Sequence, residues 1–494
     1  MTRSCGVLMP VFSLPSKYSI GSFGKWAYTF VDFLKKSGHK YWQVLPMCQT
    51  GYGDSPYQTV CDVSGNPYFI DIETLRDERL LTYREVMNSI DKGDKIDYGK
   101  LYNERYPLLR KAFSRFDTKD KKFKEFVKKG EYKNYALFMA LSEKFNAPWY
   151  QWEDKYKFRN KEALKAFETA ESSEVLFWQF VQFKFWEQYF ALKKYANKKG
   201  IEIIGDMPLY FAYNSVEVWS NPQHFMLDEN YYPRKVAGVP PDYFCAGGQL
   251  WGNPVYDYDE MKKDNYAFFK NRLNHVLKVY DYVRIDHFRG LDRFWAVDNG
   301  KPDAREGQWL PAPGREIFAD FAHKDRIIAE DLGVIDDGVR DLIKTVGVPG
   351  MKVLSFAFDS GKDNPYLPMN VAENSVAYTG THDNDTLIGH FKSLSKDSLE
   401  RQKAMIKESL DYLRIYRPIN GIKSLASAVL EIAYACRSNL TVVPLQDELM
   451  LDSEYRINKP GTTGCWTVRL KESVLTATLA SEMHRRAKRY DRTK

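Results

Sequence analysis

The chain has 494 residues, enough for one large domain with an insertion or for two to three domains. Its formal net charge of +7 is spread over 72 basic and 65 acidic residues without a basic stripe, so the sequence does not indicate nucleic-acid binding. No apolar run of about 18 residues occurs, and the six cysteines lack C-x-x-C spacing. We therefore expect a cytoplasmic protein with no membrane span, disulfide framework or zinc site.

The first 61 residues are predicted to begin a parallel α/β domain. Residues 6–11 and 41–46 are short apolar runs typical of strands, and an amphipathic helix through Trp26, Phe30 and Leu34 lies between them. Residues 51–57 are dense in turn residues and tyrosine, so we expect an exposed loop after the second strand.

Residues 62–200 are predicted to form a mainly helical insertion, because this stretch is far too long for a simple connection between two barrel elements. Its clearest helix spans residues 174–199, where large apolar side chains recur at helical spacing. The predicted division of the chain is thus residues 1–61, the first part of a barrel, residues 62–200, the insertion, and residues 201–494, the rest of the barrel. Four tryptophans of the insertion are expected in its core: Trp149, Trp152, Trp178 and Trp186.

Six more predicted strands follow the insertion and bring the number to eight, which a closed (β/α)₈ barrel requires. They are residues 201–208, 282–286, 326–330, 351–356, 375–383 and 440–445. Residues 238–258 and 455–466 are expected to be irregular loops at the barrel mouth. The first loop is rich in glycine and aromatic residues, including Phe244 and Trp251, and is interpreted as a lid over a substrate. For the second loop, the alternative interpretation is a plain connection to the last helix.

Three predicted strands end in acidic residues, and in a barrel of this kind the carboxyl ends of the strands converge on one site. These acids are Asp286, Glu330 and Asp383. Arg284 and Asp286 are two residues apart, so on an extended strand they share one face and the guanidinium favours the ionised carboxylate. The alternative is a structural ion pair at a strand end.

The motifs exclude several chemistries and favour one. The sequence has neither a G-x-S-x-G nucleophile motif nor a G-x-x-x-x-G-K-[ST] phosphate loop. Metal binding by Asp286-His287 and His382-Asp383 is an open alternative, although such sites usually need a denser set of ligands. Retaining exchange of glycosidic bonds fits better, because it needs one ionised and one protonated carboxyl group.

In this reading Asp286 is the ionised nucleophile, and Glu330, which follows the apolar residues 327–329, is the proton donor. Asp383 and His382 would bind sugar hydroxyls and stabilise positive charge. Asp331 would point to the opposite face as a helix cap or loop anchor. The 15% aromatic content is compatible with sugar binding, since flat rings suit the apolar faces of sugars.

Residues 284–290, 329–333 and 380–384 resemble the signature strands of the 4-α-glucanotransferase family, glycoside hydrolase family 77, within the α-amylase clan. Further matching motifs lie at residues 53–57, 205–208, 238–242, 248–254 and 458–462. The resemblance extends from Gly6 to Trp466. Where the family pattern leads us to expect asparagine before Trp466, this chain has Cys465.

The resemblance implies transfer of a 4-α-glucanosyl unit from an α-1,4-glucan to another glucan or to glucose, without a cofactor or metal. It implies Asp286 as nucleophile, Glu330 as acid/base and Asp383 as transition-state stabiliser. It also implies a set of substrate-binding residues: Tyr57, Asp206, Trp251, Arg284, His382, Asn458 and Pro460. Two other functions stay open, an α-glucan hydrolase and a glucan-binding protein without catalytic activity.

Overall fold

A closed barrel of eight parallel strands forms the centre of the protein. The computed structural model describes residues 2–51, 53–241, 246–333 and 335–493. Its strands are β1 (Ser4–Leu8), β2 (Tyr41–Gln43), β3 (Gln49–Thr50), β4 (Thr59–Cys61), β5 (Glu202–Met207), β6 (Lys235–Val239), β7 (Gln249–Pro254), β8 (Tyr282–Ile285), β9 (Arg293–Asp298), β10 (Gly307–Pro311), β11 (Ile327–Ala329), β12 (Gly350–Val353), β13 (Ser375–Tyr378) and β14 (Leu440–Pro444). Around the barrel the order is β1, β2, β5, β8, β11, β12, β13, β14 and back to β1.

The eight barrel strands correspond to the eight predicted from sequence, so the predicted (β/α)₈ barrel is confirmed. Every residue of β1, β13 and β14 is buried. Burial on both faces explains why these strands read as continuous apolar runs, since helices cover the outside of a parallel barrel. The first strand lies two to three residues earlier than predicted and ends at Leu8, before the Pro10 imide that has no N–H to donate.

Helices surround the barrel and fill the long connection between β4 and β5. They are α1 (Lys25–Lys36), α2 (Ile72–Asp77), α3 (Tyr83–Met87), α4 (Tyr98–Arg115), α5 (Lys121–Lys129), α6 (Lys133–Phe145), α7 (Asp154–Lys157), α8 (Lys161–Ala170), α9 (Ser172–Lys198), α10 (Val216–Ser220), α11 (Tyr258–Lys262), α12 (Ala267–Val279), α13 (Gly314–Ala319), α14 (Asp337–Val346), α15 (Leu387–Ser393), α16 (Lys396–Tyr412), α17 (Ile422–Ala435), α18 (Leu445–Glu448) and α19 (Ala477–Arg489). None of the described helices is long and apolar enough to cross a membrane.

Residues 62–201 contain the eight helices α2 to α9 and no strand, which confirms a mainly helical insertion after the second barrel strand. Helix α9 carries buried side chains on most of its circumference, because it packs against the barrel strand β5 on one side and the other insertion helices on the other. The four tryptophans expected in this core are buried. The division of the chain into units at residues 61/62 and 200/201 stays a prediction.

A four-stranded antiparallel sheet, in the order β10, β9, β6, β7, covers one side of the barrel mouth. The prediction of an irregular loop over residues 238–258 is therefore wrong for β6 and β7, which pair with each other in this sheet. Residues 242–245, which include Phe244 of the predicted lid, lie outside the described residues. The predicted loop 51–57 joins the two strands of the β3–β4 hairpin, with Tyr52 outside the described residues.

Candidate active site at the carboxyl ends of the barrel strands

Asp286 and Glu330 directly follow two neighbouring barrel strands. In the register of β8 and β11, Ile285 lies opposite Ala329, so the next residue of each strand is one of these two acids. The ladder continues past the strand ends, since the backbone N–H of Glu330 donates to the carbonyl of Ile285 (3.1 Å). Neighbouring strands lie about 4.8 Å apart, so the two acids start from adjacent positions on the barrel rim.

Arg284 joins Asp286 to a second carboxylate on the other neighbouring strand. Its guanidinium donates to both oxygens of Asp206 (2.8 and 2.7 Å) and lies 2.8 Å from Oδ1 of Asp286. The side chains of Arg284 and Asp206 are 4% and 0% exposed, whereas that of Asp286 is 30% exposed. The predicted pairing of Arg284 with Asp286 is thus present, and only Asp286 of these three presents a substantial part of its side chain to the cleft.

Glu330 is an acid whose charged form is strongly disfavoured in this cluster. Burial raises the pKa of Glu330 to about 8; Arg284 opposes the rise and the negative charge of Asp286 adds to it. The backbone N–H groups of His287 and Leu332 donate to its two oxygens (2.6 and 3.0 Å), which fixes the carboxyl group in place. Glu330 is therefore held protonated at neutral pH beside Asp286.

His287, which directly follows Asp286, adopts an unusual backbone conformation. His287 has φ of 51°, in the left-handed region, and this turn directs its N–H to Glu330. Its ring meets the ring of Trp251 edge to face, with centroids 4.8 Å apart. Burial lowers the pKa of His287 to about 4, so the imidazole is neutral.

Asp383 lies in the loop between β13 and α15. A series of side-chain contacts that includes two stacked rings connects it to the other acids. The amide nitrogen of Asn458 donates to its Oδ1 (2.6 Å), and Nε2 of His382 lies 3.4 Å from the same oxygen. The ring of His382 stacks on Tyr57, with centroids 5.0 Å apart and an interplanar angle of 16°. The Tyr57 hydroxyl donates to Oδ2 of Asp206 (2.8 Å), so a continuous chain of contacts links Asp383 to Asp206.

A groove with a volume of about 700 Å³ opens beside Asp383. Its walls include Asp54, Tyr98, Asn458, Pro460 and Trp466. Asn458 belongs both to this groove and to the Asp383 site, so the groove adjoins the loop that carries Asp383. Asn458 and Pro460, which the sequence predicts to bind substrate, therefore both line this groove.

Cys465 closes the loop that forms one wall of the groove. Its Sγ accepts from the backbone N–H of Lys459 (3.3 Å) and lies 3.4 Å from the hydroxyl of Thr462. In the described residues these contacts stay within the loop, and none of them reaches the three acids.

Asp331 faces away from the site, as its position next to Glu330 predicts. Its Oδ1 accepts from the backbone N–H of Met351 (2.6 Å), and Lys352 lies 3.4 Å from Oδ2, so it anchors strand β12. Across the described ranges of the chain, no group of three His, Cys, Asp or Glu side chains is arranged to hold a metal ion.

Comparison with known proteins decides the family. The sequence profile of the family described as 4-alpha-glucanotransferase, glycoside hydrolase family 77, matches residues 9–476. The chain belongs to the 4-alpha-glucanotransferase family. It is 42% identical to the 4-alpha-glucanotransferase of Clostridium butyricum, over 98% of this chain and 100% of the relative, and 40% identical to that of Thermus thermophilus, over 95% of each.

Solved structures agree with this family membership. The amylomaltase from Streptococcus agalactiae, determined in complex with acarbose, superposes with a TM-score of 0.94 at 37% identity and covers 100% of both chains. The amylomaltase from Corynebacterium glutamicum shares the fold, with a TM-score of 0.79 at 19% identity over 100% of this chain and 75% of its own.

Two residues of this 4-alpha-glucanotransferase-family site were not singled out from the sequence. Arg456 donates to the backbone carbonyl of Asp383 (2.6 Å) and to that of Asn458 (2.7 Å), so it ties the acid to the groove wall. Asp447 lies beneath the same loop, bound to Thr379 and Leu387. Asp447 follows an apolar strand just as Glu330 does, which is the signal that could have drawn attention to it, whereas nothing in the sequence around Arg456 marks its role.

Proposed function

We propose that the protein is a retaining 4-α-glucanotransferase in which Asp286 is the nucleophile and Glu330 the acid/base. The observation that carries this proposal is the pair of adjacent strand ends with opposite environments. Asp286 has a guanidinium against it, while the pKa of Glu330 is raised to about 8. Retaining enzymes need such a pair with carboxyl groups about 5–5.5 Å apart, and adjacent positions on neighbouring strands support that spacing.

In the first step Asp286 attacks the anomeric carbon of the donor glucan. The bond from that carbon to the leaving O4 breaks, and Glu330 gives its proton to this oxygen. The product is a glucosyl ester on Asp286 and a shortened glucan with a free 4-hydroxyl. Arg284, held by Asp206, pairs with Asp286 and orients its carboxyl group before the attack.

In the second step the 4-hydroxyl of an acceptor glucan or of glucose attacks the same carbon. Glu330, now ionised, takes the hydroxyl proton, and the ester bond to Asp286 breaks. Asp383 and His382 stabilise the positive charge that develops on the sugar ring in both steps. The net reaction exchanges one α-1,4 bond for another and consumes no water.

Transfer requires that an acceptor hydroxyl reaches the ester before water does. The groove beside Asp383 provides a place to bind that acceptor, with Pro460 in its wall and Asn458 both in its wall and bonded to Asp383. On the other side of the site Trp251 packs edge to face on His287, whose backbone N–H donates to Glu330, and we propose it as part of a cover there. An oriented acceptor under such a cover has a large effective concentration compared with water.

The substrates we propose are α-1,4-glucans and maltooligosaccharides, with glucose as the smallest acceptor. Family membership and the acarbose complex of the Streptococcus agalactiae relative support a glucan in this cleft. We propose a cytoplasmic location, supported by the free thiols of Cys5, Cys48, Cys61, Cys436 and Cys465.

Incubation with maltotriose tests this function. We expect glucose and longer maltooligosaccharides at a constant number of reducing ends, because each transfer breaks one bond and makes one. A steady rise in reducing ends would instead support an α-glucan hydrolase. Binding of maltotriose without any change in product pattern would support a glucan-binding protein and overturn the proposal.

A further inference from the structure

The loop that carries His382 and Asp383 is fastened at both ends by one buried side chain. Asp447, in the short helix α18 after strand β14, accepts from the Thr379 hydroxyl through Oδ2 (2.6 Å) and from the Leu387 backbone N–H through Oδ1 (2.8 Å). Thr379 directly follows strand β13, and Leu387 begins helix α15. Both ends of the loop are thereby tied to the short helix that follows the neighbouring barrel strand β14.

The rest of the loop holds its shape through its own side chains. Oδ1 of Asn384 accepts from the backbone N–H and the hydroxyl of Thr381 (2.8 and 2.9 Å), and that hydroxyl oxygen accepts from the N–H of Asp383 (3.2 Å). A turn that is stiff inside and fixed at both ends moves as one body. A displacement of its ends would therefore be passed on to Asp383.

We propose that Asp447 is a positioning residue for glucanosyl transfer: by holding Thr379 and Leu387 it keeps Asp383 at the correct distance from Asp286 and Glu330. This inference rests on the proposed role of Asp383. Asp447 itself is 3% exposed and lies beneath the loop, so it acts through the loop and does not touch the substrate.

The environment of Asp447 shows that a carboxyl group is costly at this position. Burial raises its pKa to about 7, and the nearby acids Glu448 and Asp385 add to the rise, while the bonds from Thr379 and Leu387 oppose it. Within the described part of the chain no salt bridge to Asp447 compensates this cost. A carboxylate is, however, the side chain that offers two equivalent acceptor oxygens on one carbon, which is what two donors at the two loop ends require.

The neighbouring Glu448 provides a matched control. Its side chain is 1% exposed, but it accepts from the Tyr434 hydroxyl (2.8 Å) and pairs with Arg486, on helices α17 and α19. Glu448 is therefore a buried carboxylate of the same short helix that faces away from the loop.

The test compares kcat and KM for maltotriose in Asp447→Asn, Thr379→Val, Glu448→Gln and Asp383→Asn, with thermal unfolding to verify folding. We expect Asp447→Asn and Thr379→Val to lower kcat by roughly ten- to a hundredfold with KM within about twofold, since a displacement of about 1 Å has effects of this size. Glu448→Gln is expected to lower the unfolding temperature and to leave kcat unchanged. In the Asp383→Asn background, Asp447→Asn should cause almost no further loss of kcat.

Wild-type kcat in folded Asp447→Asn and Thr379→Val, together with a strong loss in Asp383→Asn, would overturn this inference and leave the proposed function intact. An equal loss of kcat in Glu448→Gln would also overturn it, because the effect would then be general softening of the fold. Wild-type kcat in Asp383→Asn would instead contradict the proposed role of Asp383.

Discussion

Asp286 and Glu330 stand side by side at the ends of two paired strands, and of the two only Asp286 is salt-bridged to Arg284 in the described structure. The pKa of Glu330 is instead raised to about 8, chiefly because its carboxyl group is withdrawn from solvent. The same barrel rim thus places a carboxyl group paired with arginine beside one whose pKa is raised to about 8.

The loss of rate caused by Glu330→Gln should depend on the leaving group of the donor substrate. With maltotriose, we expect Glu330→Gln to lower kcat by roughly 10²–10⁴-fold, because the departing sugar oxygen needs a proton. With α-maltosyl fluoride, whose fluoride departs without protonation, the single-turnover release of fluoride should stay within about tenfold of the wild type. The measurement is rapid-quench detection of fluoride and glucose.

Asp331→Asn is the matched control for this experiment. Asp331 is adjacent in sequence but binds the backbone of Met351 on the far side of the strand. We expect it to lower the unfolding temperature with little change in the ratio of the two donor rates. Equal losses with both donors in Glu330→Gln would show that Glu330 is not the proton donor.

The pH dependence of kcat/KM for maltotriose should report the raised pKa of Glu330. The free enzyme is active with Glu330 protonated, so we expect a plateau at neutral pH and a fall of about tenfold per pH unit above pH 8. A glutamic acid with the ordinary pKa of 4.5 would give a fall beginning near that pH. A decline of kcat/KM that starts below pH 6 would therefore contradict the assignment.

Stability should depend on pH through the same group, with a sign that follows from proton binding. Between pH 4.5 and about 8 native Glu330 keeps a proton that the unfolded chain releases. The free energy of unfolding therefore contains a contribution that is complete below pH 4.5 and is lost as the pH rises through 8. Glu330→Gln should lack this loss, so the difference in unfolding temperature between variant and wild type should shift in favour of the variant as the pH rises from 5 to 9.

The amide of Asn458 should matter for kcat through its bond to Asp383. Asn458→Ala removes a donor 2.6 Å from a carboxylate oxygen, and hydrogen bonds to charged groups contribute about 1.5–3 kcal/mol. We expect a loss in kcat of roughly 10- to 150-fold, measured as glucose release from maltotriose. In an Asp383→Asn background the same replacement should have a much smaller effect; an undiminished loss there would place the role of Asn458 elsewhere.

The barrel was predictable because its strands are buried on both faces and therefore appear as continuous apolar runs. The antiparallel sheet at the mouth was not, because its strands are partly exposed; four of the six residues of β7 are not buried, and glycines interrupt β6 and β7. Such strands have no clear period in the sequence, and long-range pairing decides their structure.

The site shows the same distinction between local and long-range information. Arg284 and Asp286 are neighbours on one strand, so their contact follows from a spacing of two residues. The bonds of Asp383 to Asn458 and Arg456 join residues more than 70 positions apart, and the sequence carries no local sign of them. Asp206 was expected to bind substrate; its side chain is 0% exposed and is paired with Arg284, so a role as support for Asp286 fits its position better.

Trapping the covalent intermediate is the most direct test of the proposed double displacement through Asp286. Glu330→Gln should form the maltosyl ester readily from α-maltosyl fluoride but release it slowly, because the acceptor hydroxyl has lost its base. Peptide mass mapping after rapid acid quench should then find one maltosyl unit on the peptide that contains Asp286, and none in Glu330→Gln/Asp286→Asn. A maltosyl unit on any other residue, or fluoride release without an ester on Asp286, would contradict the double displacement proposed for this barrel.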